Sequence, residues 1–244
     1  MVVPTVFSLT PFAVLSLITK AIGSQDDISG AFKNVGYLMA ASMIAFVAHC
    51  FITDVGIFYL ATRENPFKFL KHIVPAQMTA FACASSAATL PVTLRCVKTS
   101  GMVPDDIANF VCPLGATINM DGSAIYFPCV CVWLAYLNGE TANVGSYILL
   151  IILATIGSAG AAPVPSASLV LIITAYNTVF GSTGVPNGFE FVIAIDWFMD
   201  RFRTVLNVTG DTVVSRIVTV RTGWDMEKEE TDEAPDKDAS LLDG

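Results

Sequence analysis

Six long apolar runs divide this chain, and they leave little room for any fold that needs a charged surface. They are Val2–Ile22, Val35–Ala61, Phe67–Thr93, Asn109–Leu137, Gly145–Phe180 and Glu190–Val220. A helix needs about 20 mostly apolar residues to cross a bilayer, so each run is long enough for one crossing. Only 14% of the residues are charged and 54% are hydrophobic, whereas a soluble domain carries about 25% charged residues. The pattern predicts an all-α, multi-spanning integral membrane protein.

The net charge of −8 belongs mostly to one end. From Asp225 onward there are nine acidic residues and two lysines, against twelve acids and eleven bases in all that precedes. This aromatic-poor, acidic end reads as a disordered extension. No basic stripe exists, so nucleic acid is excluded as a partner. The cysteines (50, 83, 96, 112, 129, 131) form no CxxC pair and read as small buried hydrophobes rather than a disulfide or zinc framework. No signal peptide precedes the first run, and the chain opens as if earlier helices were missing.

Basic residues favour the cytoplasmic side. Arg63, Lys68 and Lys71 follow the second run, Arg95 and Lys98 the third, and Arg216 and Arg221 close the last. The Asp26–Asp27 link is therefore expected outside and the C-terminus inside. The third run has positive charge at both ends and small residues with a proline, Ala84 to Pro91, in its middle. It reads as a re-entrant hairpin. The fifth run is too long for one crossing and breaks over Gly157 to Pro165, so it reads as a second hairpin entering from the opposite face. Interrupted hydrophobic segments in corresponding halves point to a transporter's binding site. Kinked spanning helices packed through small residues fit the same pattern. Asp54, inside the second run, is a cost that wants explaining.

The last run carries the chemistry. Asp196, Asp200, Arg203, Thr204, Asn207 and Asp211 fall on one helix face. Each charge at the bilayer centre costs about 2.5–3.5 kcal/mol even on the mild insertion scale, so this face must meet a polar cavity. An Asp200–Arg203 pair would neutralise itself but would leave Asn207 and Asp211 unexplained. As a set, Asp200 suits an ammonium, Arg203 clamps a carboxylate, Asn207 bonds a second carboxylate, and Asp211 offers a hard oxygen to a small cation. In the fourth run, Asn119, Asp121 and Gly122 are poor helix formers. Unwound carbonyls with Asp121 would make an oxygen cage for Na⁺. Asn207-Val208-Thr209 matches a glycosylation acceptor, yet it lies within this polar face and is a decoy. His49 and His72 read as lone packing or interfacial residues.

Four stretches, Ser85 to Pro91, Gly115 to Gly122, Gly160 to Leu169 and Asp196 to Asp211, resemble the glutamate/aspartate:sodium symporter family. The likeness runs from about Pro11 to Val218. It implies an inverted-repeat transporter core of two oppositely oriented re-entrant hairpins plus transmembrane helices. By residue range it implies two transmembrane helices in 1–62, a transport core in 63–222 and an acidic cytoplasmic tail in 223–244. The hairpins fall at about 67–99 and 145–181, and the core helices at about 109–137 and 190–220. The resemblance puts Ser86 and Ser123 at the substrate with Asp200, Arg203, Thr204 and Asn207. It gives one Na⁺ to Asp211 with Gly115, Asn119 and Asn207, another to Thr117 with Ser158, Ala159 and Ala161, and a third to Asn119 and Asp121.

The implied activity is sodium-coupled symport of glutamate or aspartate by an elevator-type movement, in a homotrimer of the plasma membrane. Na⁺ is co-transported, and no organic cofactor is implied. The family's first helices have no counterpart here, so the chain is expected to be a fragment. The alternative is a truncated, non-transporting or anion-channel-like regulatory relative. Pro163 and Ser168 stand where Gly or Ser, and Gly, are usual, and both would stiffen the second tip. Ala84 and Ala87 replace serines, and Val213 to Arg216 replaces a small-residue run. No nucleophile–base arrangement or phosphate loop argues for an enzyme.

Overall fold

The computed structural model describes residues 28–162 and 166–223, together with Phe12, Leu15, Ser16, Thr19 and Gly23. The Asp26–Asp27 link, Pro163, the acidic tail and nearly all of Val2–Ile22 lie outside the described residues. The described residues are helical without strands, as the apolar runs require.

Helix α1 (Ile28–Ala48) runs through a π-helical turn (His49–Asp54) into α2 (Val55–Thr62). Then come α3 (Pro66–Cys83), α4 (Ser86–Thr99), α5 (Asp105–Ile118), α6 (Asp121–Leu137), α7 (Val144–Ala159), α8 (Ser168–Phe180) and α9 (Phe189–Thr222). Two helical stretches, Ser29–Thr62 and Asp105–Leu137, are long and apolar enough to cross a membrane. Large apolar side chains such as Ile44, Ile52, Phe110 and Ile156 are exposed, which suits a lipid-facing surface.

The helix ends follow local chemistry. Asn65 caps α3 by accepting from Phe67 N at 3.0 Å, with Pro66 in the first turn, where its missing N–H costs nothing. Helix α3 stops at Ala84, which adopts φ 50°, and Ser85 caps α4 by accepting from Ala88 N at 3.2 Å. The break is therefore confined to Ala84 and Ser85. Pro91 does not mark it but lies inside α4, where it forfeits only one i→i−4 bond. The interruption in the fourth run is equally short, Asn119 and Met120, and Asp121 and Gly122 are already helical. In the fifth run Gly157 to Ala159 still belong to α7, which ends there, and α8 begins at Ser168.

Helix α9 is the shared wall, touching α1 to α6. It joins two apolar cores. Met199 and Leu206 pack with Tyr126, Leu134, Ile172 and Tyr176, while Val208 and Val213 pack with Phe69, Ile73, Val97 and Ile107. The polar residues of α9 lie between these cores.

Candidate functional site

Two short breaks and one unwound hinge converge on α9. A cavity is lined by Ala84, Ser85 and Ser86 from the first break, Ala161, Ala162, Ala167 and Ser168 from the second, Met120 and Ser123 beside the hinge, and Asp200, Thr204 and Asn207 from α9. Its volume is 20 Å³, room for about one water molecule. Both breaks use a non-glycine residue in the left-handed region, Ala84 at φ 50° and Ser166 at φ 60°. Such backbone costs about 1–3 kcal/mol and tends to cluster at ligand clamps. The Ser166 conformation has a use, because its N–H donates to Asp200 Oδ2 at 3.0 Å.

Arg203 is fully buried. Its Nη2 lies 2.7 Å from Asp196 Oδ1 and 2.8 Å from Asp200 Oδ1. Nη1 donates to Ser168 Oγ at 2.7 Å, and the guanidinium sits 4.5 Å from the centre of the Tyr126 ring, a cation–π distance. Nε has no partner, nor does Asp196 Oδ2. The two carboxylates outnumber the single guanidinium charge, and Nε still has donor capacity. The self-neutralising Asp200–Arg203 pair is therefore present, and Asp196 joins it.

Beyond this cavity, α9 meets the Asn119–Met120 hinge through close backbone approach. Asn207 is buried, which removes it as a glycosylation acceptor. Its Oδ1 accepts from Gly122 N at 2.8 Å and its Nδ2 lies 3.3 Å from Met120 Sδ. Asn119 Nδ2 donates to Asp211 Oδ1 at 3.0 Å. Glycines make this possible. A Cβ on Gly122 would lie 2.5 Å from Arg203 Cα, and one on Gly210 would lie 2.6 Å from Asp121 Oδ2. A Cβ on Gly115 would collide with the Asp211 carboxylate. Gly115, Asn119, Asp121 and Asp211 thus form a second polar cluster, next to the cavity.

The remaining residues expected at ion sites are more dispersed. Thr117 is exposed and its hydroxyl donates to Leu114 O at 2.8 Å. Ser158 is buried and donates to Thr155 O at 3.0 Å within its own helix. Ala159 is exposed, whereas Ala161 lines the cavity. Helix α5 does touch α7, so Thr117 and Ser158 sit on neighbouring elements.

Three participants were not legible as such. Asp196 shares the α9 face, but its pairing with Arg203 depends on a rotamer. Ser168, expected only as a stiffening substitution, is a hydrogen-bond partner. His49 is not lone: its Nε2 is 3.7 Å from Asp54 Oδ1 and 3.9 Å from Asp121 Oδ2.

Comparison with known proteins places the chain among transporters. The model of the sodium:dicarboxylate symporter family matches residues 1–220. The chain is 38% identical over 218 residues to excitatory amino acid transporter 3 of Mus musculus, covering 89% of this chain and 41% of that protein. It is 36% identical over 209 residues to excitatory amino acid transporter 1 of Ambystoma tigrinum, covering 85% and 38%. An excitatory amino acid transporter of Caenorhabditis elegans is 35% identical over 217 residues, covering 88% and 42%. The chain thus spans about two-fifths of the length of the curated relatives it matches.

Proposed function

Since the chain belongs to the sodium:dicarboxylate symporter family, an integral membrane transporter family, we propose that it carries the substrate- and ion-binding core of a sodium-coupled symporter for glutamate or aspartate. The observation that supports this most is a cavity at two helix breaks lined by Ser86, Ser123, Asp200, Thr204 and Asn207, with the buried Arg203 directly behind it, bonded to the lining residues Asp200 and Ser168.

Without cargo, the Arg203 charge is paired internally with Asp196 and Asp200. An acidic amino acid brings one ammonium and two carboxylates. Its ammonium takes Asp200, its side-chain carboxylate takes Arg203, and Asp196 keeps the guanidinium oriented. Asn207 and Thr204 hold the main carboxylate, with Ser86 and Ser123 completing the shell. Both breaks line this narrow cavity, and they part to admit the cargo. On this reading 67–99 and 145–181 are re-entrant hairpins and their tips, the two breaks, are the gates. The transport core 63–222 then moves as one body past a stationary scaffold in a homotrimer, with 1–62 supplying two spanning helices and 223–244 a cytoplasmic tail.

Na⁺ is cargo here as well. Asp211 with Gly115, Asn119 and Asn207 forms one oxygen set, Asn119 with Asp121 a second, and Thr117 with Ser158, Ala159 and Ala161 a third. Carboxylate and carbonyl oxygens suit a hard cation. The test is sodium-dependent uptake of labelled L-aspartate into vesicles, by this chain alone and by the chain joined to the preceding helices of a relative. Uptake by the joined form supports the proposal; its failure to take up aspartate in a properly inserted state counts against it.

One observation favours a second reading, a binding or regulatory relative that does not transport. Ser168 ties the second break to Arg203. If that tie holds the gate shut, Ser168→Gly restores uptake where the parent joined chain shows none.

A further inference from the structure

A third group of ligand atoms meets where the first spanning helix widens. His49 and Asp54 bracket the π-helical turn. On an α-helix, residues five apart point about 140° away from each other. In a π-helix the i→i+5 bond stacks them, and such turns recur at functional sites. The turn therefore brings an imidazole and a carboxylate to one side of the helix. Asp121, in the first turn of α6, completes the group. His49 Nε2 lies 3.7 Å from Asp54 Oδ1 and 3.9 Å from Asp121 Oδ2, and one ligand atom from each residue lies within 4.8 Å of the others.

Asp54 supplies an independent sign that something is held here. It is 5% exposed, and its Oδ2 has no hydrogen-bond partner. A carboxylate buried without hydrogen bonds is costly in any apolar medium and more so within a membrane. Such a group calls for a partner, and an ion is one of the few that fit.

The donor set says which ion. Two carboxylates and a neutral imidazole are a mixed nitrogen–oxygen set with two negative charges. Na⁺ gains little from imidazole nitrogen, whereas zinc-type divalent ions favour it. Donor atoms 2.0–2.2 Å from a tetrahedral centre lie about 3.3–3.6 Å apart, a few tenths of an ångström less than the two His49 distances of 3.7 and 3.9 Å, while the two carboxylates lie within 4.8 Å of each other and draw together on the ion. A divalent ion also balances both carboxylates.

We propose that His49, Asp54 and Asp121 form a binding site for a divalent transition-metal ion of the zinc type, linking the α1–α2 rod to the start of α6. Apart from sharing Asp121, this site does not depend on the transport reading. The test is a zinc titration of the full purified chain in lipid nanodiscs against a chromophoric chelator. One zinc per chain is expected, with affinity falling at least about tenfold in Asp54→Asn and in His49→Gln, since even losing a ligand's outer partner costs 10–100-fold. Zinc-edge X-ray absorption on the unaltered chain gives a readout that needs no variant, and a nitrogen–oxygen shell without sulfur is expected. No saturable binding, equal binding by both variants, or a sulfur shell from the cysteines would each overturn the proposal.

Discussion

Replacing Arg203 by threonine separates two quantities, the stability of the site and the preference for acidic cargo that the proposed function assigns to it. The side chain is fully buried, with Asp196 Oδ1 at 2.7 Å and Asp200 Oδ1 at 2.8 Å. Removing one partner of a buried ion pair costs about 3–5 kcal/mol, chiefly because it strands the other charge. Here two carboxylates are stranded, so Arg203→Thr lowers thermal stability, and adding Asp196→Asn to it restores part of the loss. For binding, losing the charge-assisted contact to a cargo carboxylate costs about 3 kcal/mol, which is on the order of a 100-fold weaker affinity. A neutral amino acid never used that contact, so its binding is spared or gained. The assay is sodium-dependent equilibrium binding of labelled aspartate and serine to the purified variants, with melting temperatures measured on the same samples. Unchanged aspartate affinity in a folded Arg203→Thr protein would refute the assigned role. A double variant no more stable than the single one would refute the charge-stranding account.

Other expectations follow from named contacts. Asp200→Asn leaves Arg203 held by Asp196 but removes the ammonium partner, so aspartate affinity falls roughly 100-fold with a smaller loss of stability than in Arg203→Thr; isothermal calorimetry and melting curves read both. Gly115→Ala drives a methyl into the Asp211 carboxylate, an overpacking cost of about 1–3 kcal/mol that appears as a higher sodium concentration for half-maximal aspartate binding. Gly122→Ala meets backbone rather than a movable side chain, Arg203 Cα at 2.5 Å, so it lowers the melting temperature whether or not sodium is present. Arg216 bonds both Glu64 carboxylate oxygens and the Met102 carbonyl. Arg216→Ala accordingly speeds amide exchange in the Thr62–Asn65 link, and high salt speeds it in the unaltered protein by less.

The parts legible in the sequence were those fixed by local composition. Apolar runs of this length gave helices, because a helix satisfies its backbone within one segment in lipid, and small-residue clusters marked where two of those helices stop. The exact stops were not legible. Gly157 stays helical although glycine invites a break, and Pro91 is absorbed within α4, whose Thr89, Thr93 and Val97 are buried against its neighbours. Tertiary packing outweighs single-residue propensity there. The α9 face could be drawn from spacing alone, since positions 3, 4 and 7 apart recur on one side of a helix. Spacing does not fix a rotamer, so the pairing of Arg203 with Asp196 and Ser168 stayed hidden. Asp54 stood out as a charge in an apolar run, but its neighbour Asp121 lies in another helix. The π turn that aims it there leaves no mark in hydrophobic periodicity.

Under the proposed symport, the Asn119–Met120 hinge bears on how cargo and ion sense each other. Asn119 reaches Asp211 while Met120, the next residue, packs on Asn207 at the cavity. Pulling on either side chain turns the same peptide unit. Occupancy at one end therefore biases the geometry at the other through one peptide unit, with no long relay. Such linkage is reciprocal: whatever factor sodium adds to the affinity for the amino acid, the amino acid must return to sodium.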